Sequence, residues 1–295
     1  MDNLTAIGVD EISFSKGRKY ITIIYDISSR KAIPISYQEG NNKESLEKFL
    51  VELGEDRRKG IKLVVSDMSR SYISAVSQYL PEAMMVIDKY HLLAEFNRCM
   101  EMIKRYVFRE MATKENYFKG SLSLSKLEES RINKRFKFFT PQEKMSIKWA
   151  VLKRPANLTE AQSDVLSKLE KYNSPLFKAY LLKEQFFSNY VKQPVEQAKL
   201  WLTAWIKEAR ATGLNGLISF CNTLERHFEY ILNYFHSGIT SAAIEGVNNK
   251  IKVLKRMAYG YKDLDYFFRK IRSRFSNLDE VYLLFSTQHR INLYC

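Results

Sequence analysis

Up to about residue 90 the chain alternates short apolar runs with amphipathic stretches. Residues 6–10 are an apolar run ending in an acid, which predicts a strand that stops at Asp10. Residues 20–27, rich in Ile, Thr and Tyr, predict a second strand, and 31–37 a third. The polar Ser28-Ser-Arg30 between them predicts a tight turn and so an antiparallel hairpin. Over 42–54 the period becomes helical: Leu46, Phe49, Leu50 and Leu53 share a face, Asn42 is placed to cap the start, and Gly54 ends the run. Residues 61–65 predict a buried strand, 69–80 a helix stopped by Pro81, and 83–87 another strand ending at Asp88.

The order strand, strand, strand, helix, strand, helix, strand is that of a ribonuclease H-like α/β fold, a mixed sheet that opens with a hairpin and continues with alternating helices. From about residue 89 to 235 the strand signals fade. Amphipathic stretches rich in Lys, Arg, Leu and Phe replace them, broken at Pro141, Pro155, Pro175 and Pro194. This predicts a large all-helical insertion interrupting the core. The implied division is 1–95 for the first part of the core, 96–235 for the insertion, and 236–295 for the second part with a basic C-terminal region.

Charge narrows the function. The 295 residues carry a net charge of +14, with a pI near 9.5, far more than solubility requires. A polyanion, most simply a nucleic-acid backbone, is the partner this implies. Between Arg98 and Arg154 lie Lys104, Arg105, Arg109, Lys114, Lys119, Lys126, Arg131, Lys134, Arg135 and Lys137, with Phe136, Phe138 and Phe139 interleaved. That stretch reads either as a DNA-contacting surface or as a solvated helical face over core aromatics. Cys99, Cys221 and Cys295 are scattered, with no C-x-x-C pair, which excludes a zinc ribbon and fits thiols in a reducing compartment. No apolar run reaches the roughly 18 residues of a membrane span, and the first residues do not form a signal peptide. A cytoplasmic protein with access to a bacterial nucleoid is expected.

The candidate chemistry is carried by acids. Asp10 follows one apolar strand, Asp67 follows another, and Glu245 lies on a distant helical run. Carboxylates at strand ends are held by the sheet, and oxygen ligands suit hard ions. Three that converge can hold two Mg2+ or Mn2+ ions for in-line phosphoryl displacement. Adjacent strand residues face opposite ways, so Asp10 and Glu11 are rivals for one site, and Asp10 is preferred because the apolar run positions it. At about 100° per residue, Glu245, Asn249, Lys252 and Arg256 share one sector of their helix, and Val247, Ile251, Leu254 and Ala258 the opposite one. Such a face grips metal and phosphate, or is an ordinary solvated surface. Thr240 or Ser241 is placed to cap this helix and Gly260 to end it. Asp88-Lys-Tyr-His91 puts an acid at a strand end with a histidine three residues on, either accessory to the metals or a structural pair. His227 and His236 lack ligand spacing, and serine-hydrolase and P-loop signatures are absent.

Gly-Val-Asp10-Glu-Ile-Ser-Phe, Val-Ser-Asp67-Met-Ser-Arg-Ser-Tyr72, Val-Ile-Asp88-Lys-Tyr-His91 and Glu245-Gly-Val-Asn-Asn-Lys-Ile-Lys-Val-Leu-Lys-Arg-Met-Ala-Tyr-Gly-Tyr261, in this order, resemble the DDE transposases of bacterial insertion sequences, ISL3 group, from about residue 6 to 275. The resemblance implies a ribonuclease H-like core with a helical insertion and Asp10, Asp67 and Glu245 as the catalytic, metal-binding triad. It also implies two Mg2+ or Mn2+ ions, cleavage and strand transfer of DNA at element ends, and a homo-oligomer assembled on DNA. Asn249, Lys250, Lys252, Lys255 and Arg256 then face DNA, while Asp88 and His91 are accessory. Such enzymes usually begin with a zinc-binding segment and a helix-turn-helix, whereas this chain starts almost at the first catalytic strand, and many have Asn where this chain has Ser241. The other readings are a nuclease of the same fold that only hydrolyses, and an inactive DNA-binding remnant.

Overall fold

The structure, a computed structural model, describes residues 4–15, 19–29, 31–120, 139–172, 174–191, 193–239 and 241–275. They form two compact units: the residues up to His91 together with those from Glu229 onward, and Leu92–Phe228.

The first unit is built on a five-stranded sheet of order β3-β2-β1-β4-β5. Strands β1 (Ala6–Ser15), β2 (Lys19–Asp26) and β3 (Ile33–Glu39) are an antiparallel meander. Helices α1 (Lys43–Leu53) and α2 (Glu55–Gly60) return the chain to β4 (Leu63–Ser66), which pairs parallel with β1. Helix α3 (Arg70–Tyr79) then leads to β5 (Met84–Ile87), parallel to β4. The apolar runs are nearly continuous because both faces of the sheet are covered. Ile7, Val9, Ile24 and Val64 pack under Leu46, Phe49 and Leu50 of α1 and Tyr72, Ala75 and Val76 of α3. Residues of the other parity, among them Ala6, Ile12, Phe14, Val65 and Val86, pack under the C-terminal helices.

Several boundaries differ from expectation. Strand β1 does not stop at Asp10 but runs on to Ser15, because β2 supplies partners along its whole length, Asp10 opposite Ile23 and Ser15 opposite Lys19. Strand β3 begins two residues later than expected. Helix α2 has no buried residue, so it leaves no amphipathic signal. Helix α1 matches, with the Asn42 side chain accepting from the Ser45 N–H at 3.2 Å and Gly54 closing the end at φ +83°.

The second unit is helical. Helix α4 (Lys89–Gly120) enters it, followed by α5 (Pro141–Ala150), α6 (Glu160–Lys171), α7 (Pro175–Asn189), α8 (Val195–Ala211) and α9 (Asn215–Arg226). The prolines mark starts rather than mere breaks: Pro141 and Pro175 occupy first turns and Pro194 an N-cap, where a missing N–H is harmless. Pro155 opens a short 3-10 turn. Thr140 with Glu143 and Thr159 with Gln162 are full capping boxes. At the centre Phe96 stacks on Phe220 at 4.3 Å, and Phe186 and Trp205 close around them. Two members of the basic stretch are interior groups: Lys104 is buried against Glu101, and Phe139 is wholly buried. Arg105 and Arg109 are exposed. The side chains of Lys114, Lys119, Lys126, Arg131, Lys134, Arg135, Phe136, Lys137 and Phe138 lie outside the described ones. Among the described residues no helix is long and apolar enough to cross a membrane.

After α10 (Phe228–Ser237) come α11 (Ala242–Met257) and α12 (Leu264–Phe275), which cover the sheet on the face of Ile12 and Val65. Helix α11 lies close to β1 because residue 8 is glycine. A Cβ there would sit 2.2 Å from Cδ1 of Ile244.

Candidate active site

The strand pairing brings three aspartates into line. Gly8 pairs with Val65, and Val65 with Val86. Continued two residues along, the same registers set Asp10 opposite Asp67 and Asp67 opposite Asp88. Between β4 and β5 the ladder continues this far, the Asp88 N–H donating to the Ser66 carbonyl at 3.0 Å, whereas the pairs between β1 and β4 end at Gly8 and Val65. Strand parity turns all three side chains to the face covered by α11. Glu11 faces the other way, where it accepts from Tyr72 Oη at 3.1 Å and Asn41 Nδ2 at 3.1 Å. Asp10 is thus mid-strand toward β2 but two residues past the last pair with β4, which suits a side chain that must be both fixed and reachable.

Helix α11 clasps this row at two points. Asn248, buried on the stripe of Ile244, Val247 and Ile251, donates from Nδ2 to Asp10 Oδ2 and accepts at Oδ1 from the buried Tyr25 hydroxyl. Ser241, placed by its sequence to cap the helix, makes no side-chain cap. Its hydroxyl donates instead to Asp88 Oδ1. Neither contact follows from spacing alone. The available signal was an amide on an apolar stripe, because a buried amide needs partners.

His91 lies beside the row, its Nε2 3.8 Å from Asp10 Oδ1 and 3.7 Å from Asp88 Oδ2. Backbone N–H groups hold one oxygen of each acid: Glu11 donates to Asp10 Oδ1 at 2.8 Å, Ser69 to Asp67 Oδ1 at 2.9 Å and Tyr90 to Asp88 Oδ1, which Ser241 also holds, at 2.8 Å. Burial pushes the Asp10 carboxyl above its ordinary range; the Glu11 N–H and His91 pull it down, and Asp88 and Asp67 push it up. Asp67 is likewise raised by burial and by Asp88, against the Ser69 N–H and His91. A row of desolvated carboxylates with a histidine beside it has the donor chemistry of a hard cation.

Glu245 is half-buried on α11, its N–H bonded to the Ser241 carbonyl at 2.9 Å. At 100° per residue, Ser241 and Asn248 lie about 40° and about 60° round the helix from it, on the same side. Glu245 therefore lies between Ser241 and Asn248 along the helix axis, but about 50° round the helix to one side of the line that joins them. In this arrangement, however, no three His, Cys, Asp or Glu side chains among the described residues are gathered closely enough to ligate one ion. Both Asp10 oxygens and Oδ1 of Asp67 and of Asp88 are turned instead to protein donors. Asn249, Lys250, Lys252 and Arg256 are exposed on α11. Lys255 is engaged elsewhere, its Nζ donating to the Ser13 carbonyl at 2.6 Å.

Residues 7–271 match the family model of DDE transposases of the ISL3 group, described as a transposase. The chain is 28% identical over 269 residues to the transposase for insertion sequence element IS1001 of Bordetella parapertussis, covering 91% of this chain and 60% of that protein. It is 25% identical over 264 residues to the transposase for insertion sequence element IS1557 of Mycobacterium tuberculosis, covering 88% of this chain and 57% of that protein. The chain thus spans less than two thirds of the length of these curated relatives. With the match running through β1, β4, β5 and α11, the chain belongs to the ISL3-group DDE transposases.

Proposed function

We propose that this chain is the catalytic part of a transposase that cuts DNA at the ends of an insertion sequence and joins them to target DNA. The observation that carries this is the row Asp10, Asp67 and Asp88 at the ends of neighbouring strand pairings, clasped through Ser241 and Asn248 by α11, the helix that bears Glu245. The strand order, with β1 central and a hairpin on one side, supports a ribonuclease H-like core. In this reading Leu92–Phe228 interrupts that core as an insertion.

Asp10, Asp67 and Glu245 would hold two divalent ions, Mg2+ or Mn2+, which when bound polarise the phosphoryl oxygens and stabilise attacking and leaving groups. Asp88 and His91 stand beside them, and Ser241 and Asn248 fix the helix that presents Glu245. In the first step water oxygen bonds to phosphorus and the bond from phosphorus to the 3′ oxygen breaks, leaving a 3′-hydroxyl. In the second that hydroxyl attacks a target phosphodiester and displaces the target's own 3′ oxygen. Each step exchanges one P–O bond for another, so orientation of the reactants is what the protein must supply. Asn249, Lys250, Lys252 and Arg256 would contact the DNA backbone, and two element ends held together call for a homo-oligomer on DNA.

The test is a strand-transfer assay with an oligonucleotide ending in a free 3′-hydroxyl, a plasmid target and Mn2+. Joined product that falls to background in Asp10→Asn, Asp67→Asn and Glu245→Gln supports the proposal. Cleavage without joining makes the chain a hydrolytic nuclease. DNA binding without chemistry, unchanged by Glu245→Gln, makes it a non-catalytic binder.

A further inference from the structure

Beyond the C-terminal end of α11 stands an aromatic side chain that the fold leaves unused. Tyr259 is fully exposed, and it adopts a left-handed backbone conformation, φ +52°. Tyrosine is strained there, and glycine or asparagine is the usual occupant of this position after a helix. Glycine is in fact the next residue, Gly260, at φ +103°. The turn is closed by the Tyr259 N–H on the Arg256 carbonyl and the Gly260 N–H on the Lys255 carbonyl, both at 3.0 Å.

Both sides of this turn are anchored. On one side Lys255 reaches the Ser13 carbonyl of β1. On the other the Tyr261 ring packs on Phe267 at 4.6 Å, against the core. Tyr259 is therefore held on a rigid base while its ring faces water. The surroundings are cationic: Lys252 and Arg256 on the preceding turns and Lys262 beyond are exposed, as is Met257. Two acids follow in the sequence, both exposed and each accepting a hydrogen bond within the protein: Asp263 Oδ1 from the Tyr266 N–H at 3.0 Å and Asp265 from the Tyr37 hydroxyl.

A rigid, exposed ring among cations is the chemistry that holds a nucleobase by its face while the charges take the phosphates. We propose that Tyr259 stacks on an unpaired or terminal base of the bound DNA, with Lys252, Arg256 and Lys262 on the flanking phosphates. This rests on the DNA-transposase reading and adds a contact to it. Glu245 and the helix end at Met257 are about 18 Å apart along α11, so the stacked base lies well away from the reacting phosphate.

The experiment measures binding of the full chain to a duplex with a short 3′ overhang, over a range of salt, with 2-aminopurine in the overhang as a stacking reporter. Tyr259→Ala is expected to weaken binding about tenfold or more, to leave the salt slope unchanged and to abolish the 2-aminopurine response, while Tyr259→Phe keeps both. Arg256→Ala should instead lower the slope by about one. Tyr259→Gly should bind as poorly as the alanine variant yet melt at a higher temperature, because the strain is relieved. Wild-type binding matched by Tyr259→Ala overturns the stacking role alone. Wild-type protein that binds no DNA overturns it together with the transposase reading.

Discussion

Asn248 ties α11 to β1, and its removal should be costly. In Asn248→Ala the hydroxyl of Tyr25, a wholly buried residue, loses its acceptor, and Asp10 Oδ2 loses its donor. A neutral buried hydrogen bond contributes about 1 kcal/mol net, and one to a carboxylate about 1.5–3 kcal/mol. Water cannot replace the amide at Tyr25 but can do so in part at Asp10, whose side chain keeps 25% exposure. The expected loss is therefore about 2–3 kcal/mol, a substantial part of the 5–15 kcal/mol that ordinarily holds a domain together. Urea unfolding in a chelating buffer measures it. A cycle with Tyr25→Phe should show coupling of about 1 kcal/mol, because both variants break the same bond. A loss below about 0.5 kcal/mol with an unchanged denaturant slope, or zero coupling, would mean that the amide is solvated and the helix is held by apolar contact alone.

Gly8→Ala drives a methyl group into Ile244 and should destabilise by about 1–3 kcal/mol; adding Ile244→Val, which removes the clashing Cδ1, should recover much of this, and a double variant no better than the single would place the strain elsewhere. Asp67→Asn keeps the acceptor for the Ser69 N–H but removes a half-buried charge. Because the Asp67 carboxyl is raised in the fold, the metal-free wild type loses stability as pH rises from the ordinary value of 3.8 through the raised one. The variant should thus melt higher than wild type at neutral pH, with the gap closing under more acid conditions, and a gap independent of pH would refute the assignment. Burial pushes the Cys99 thiol up to about 12 and the Cys221 thiol up to about 11, so alkylation at pH 8 should spare both until urea is added; mass-spectrometric detection of label on either in the native protein would contradict the burial.

Much of this protein is written locally. The alternation of apolar runs and helical periods marks β1 to β5, α1 and α3, because each buries a face and so leaves a period in the sequence. Asp10, Asp67 and Asp88 stand out as acids closing apolar runs, and the one-sided pattern of α11 separates its cations from its core residues. Helix α2 escaped because it buries nothing, and the end of β1 was misplaced because its partner β2, not its own composition, sets its length. Only the tertiary structure decided that the three aspartates share one register, since strand offsets depend on pairing between segments far apart in the chain. It also decided that Ser241 bonds Asp88 rather than capping its helix, and that Asn248 joins Tyr25 to Asp10. A side chain's own sequence neighbours state what it can donate or accept; which partner it meets is settled by how closely helix and sheet pack, here by a glycine at residue 8.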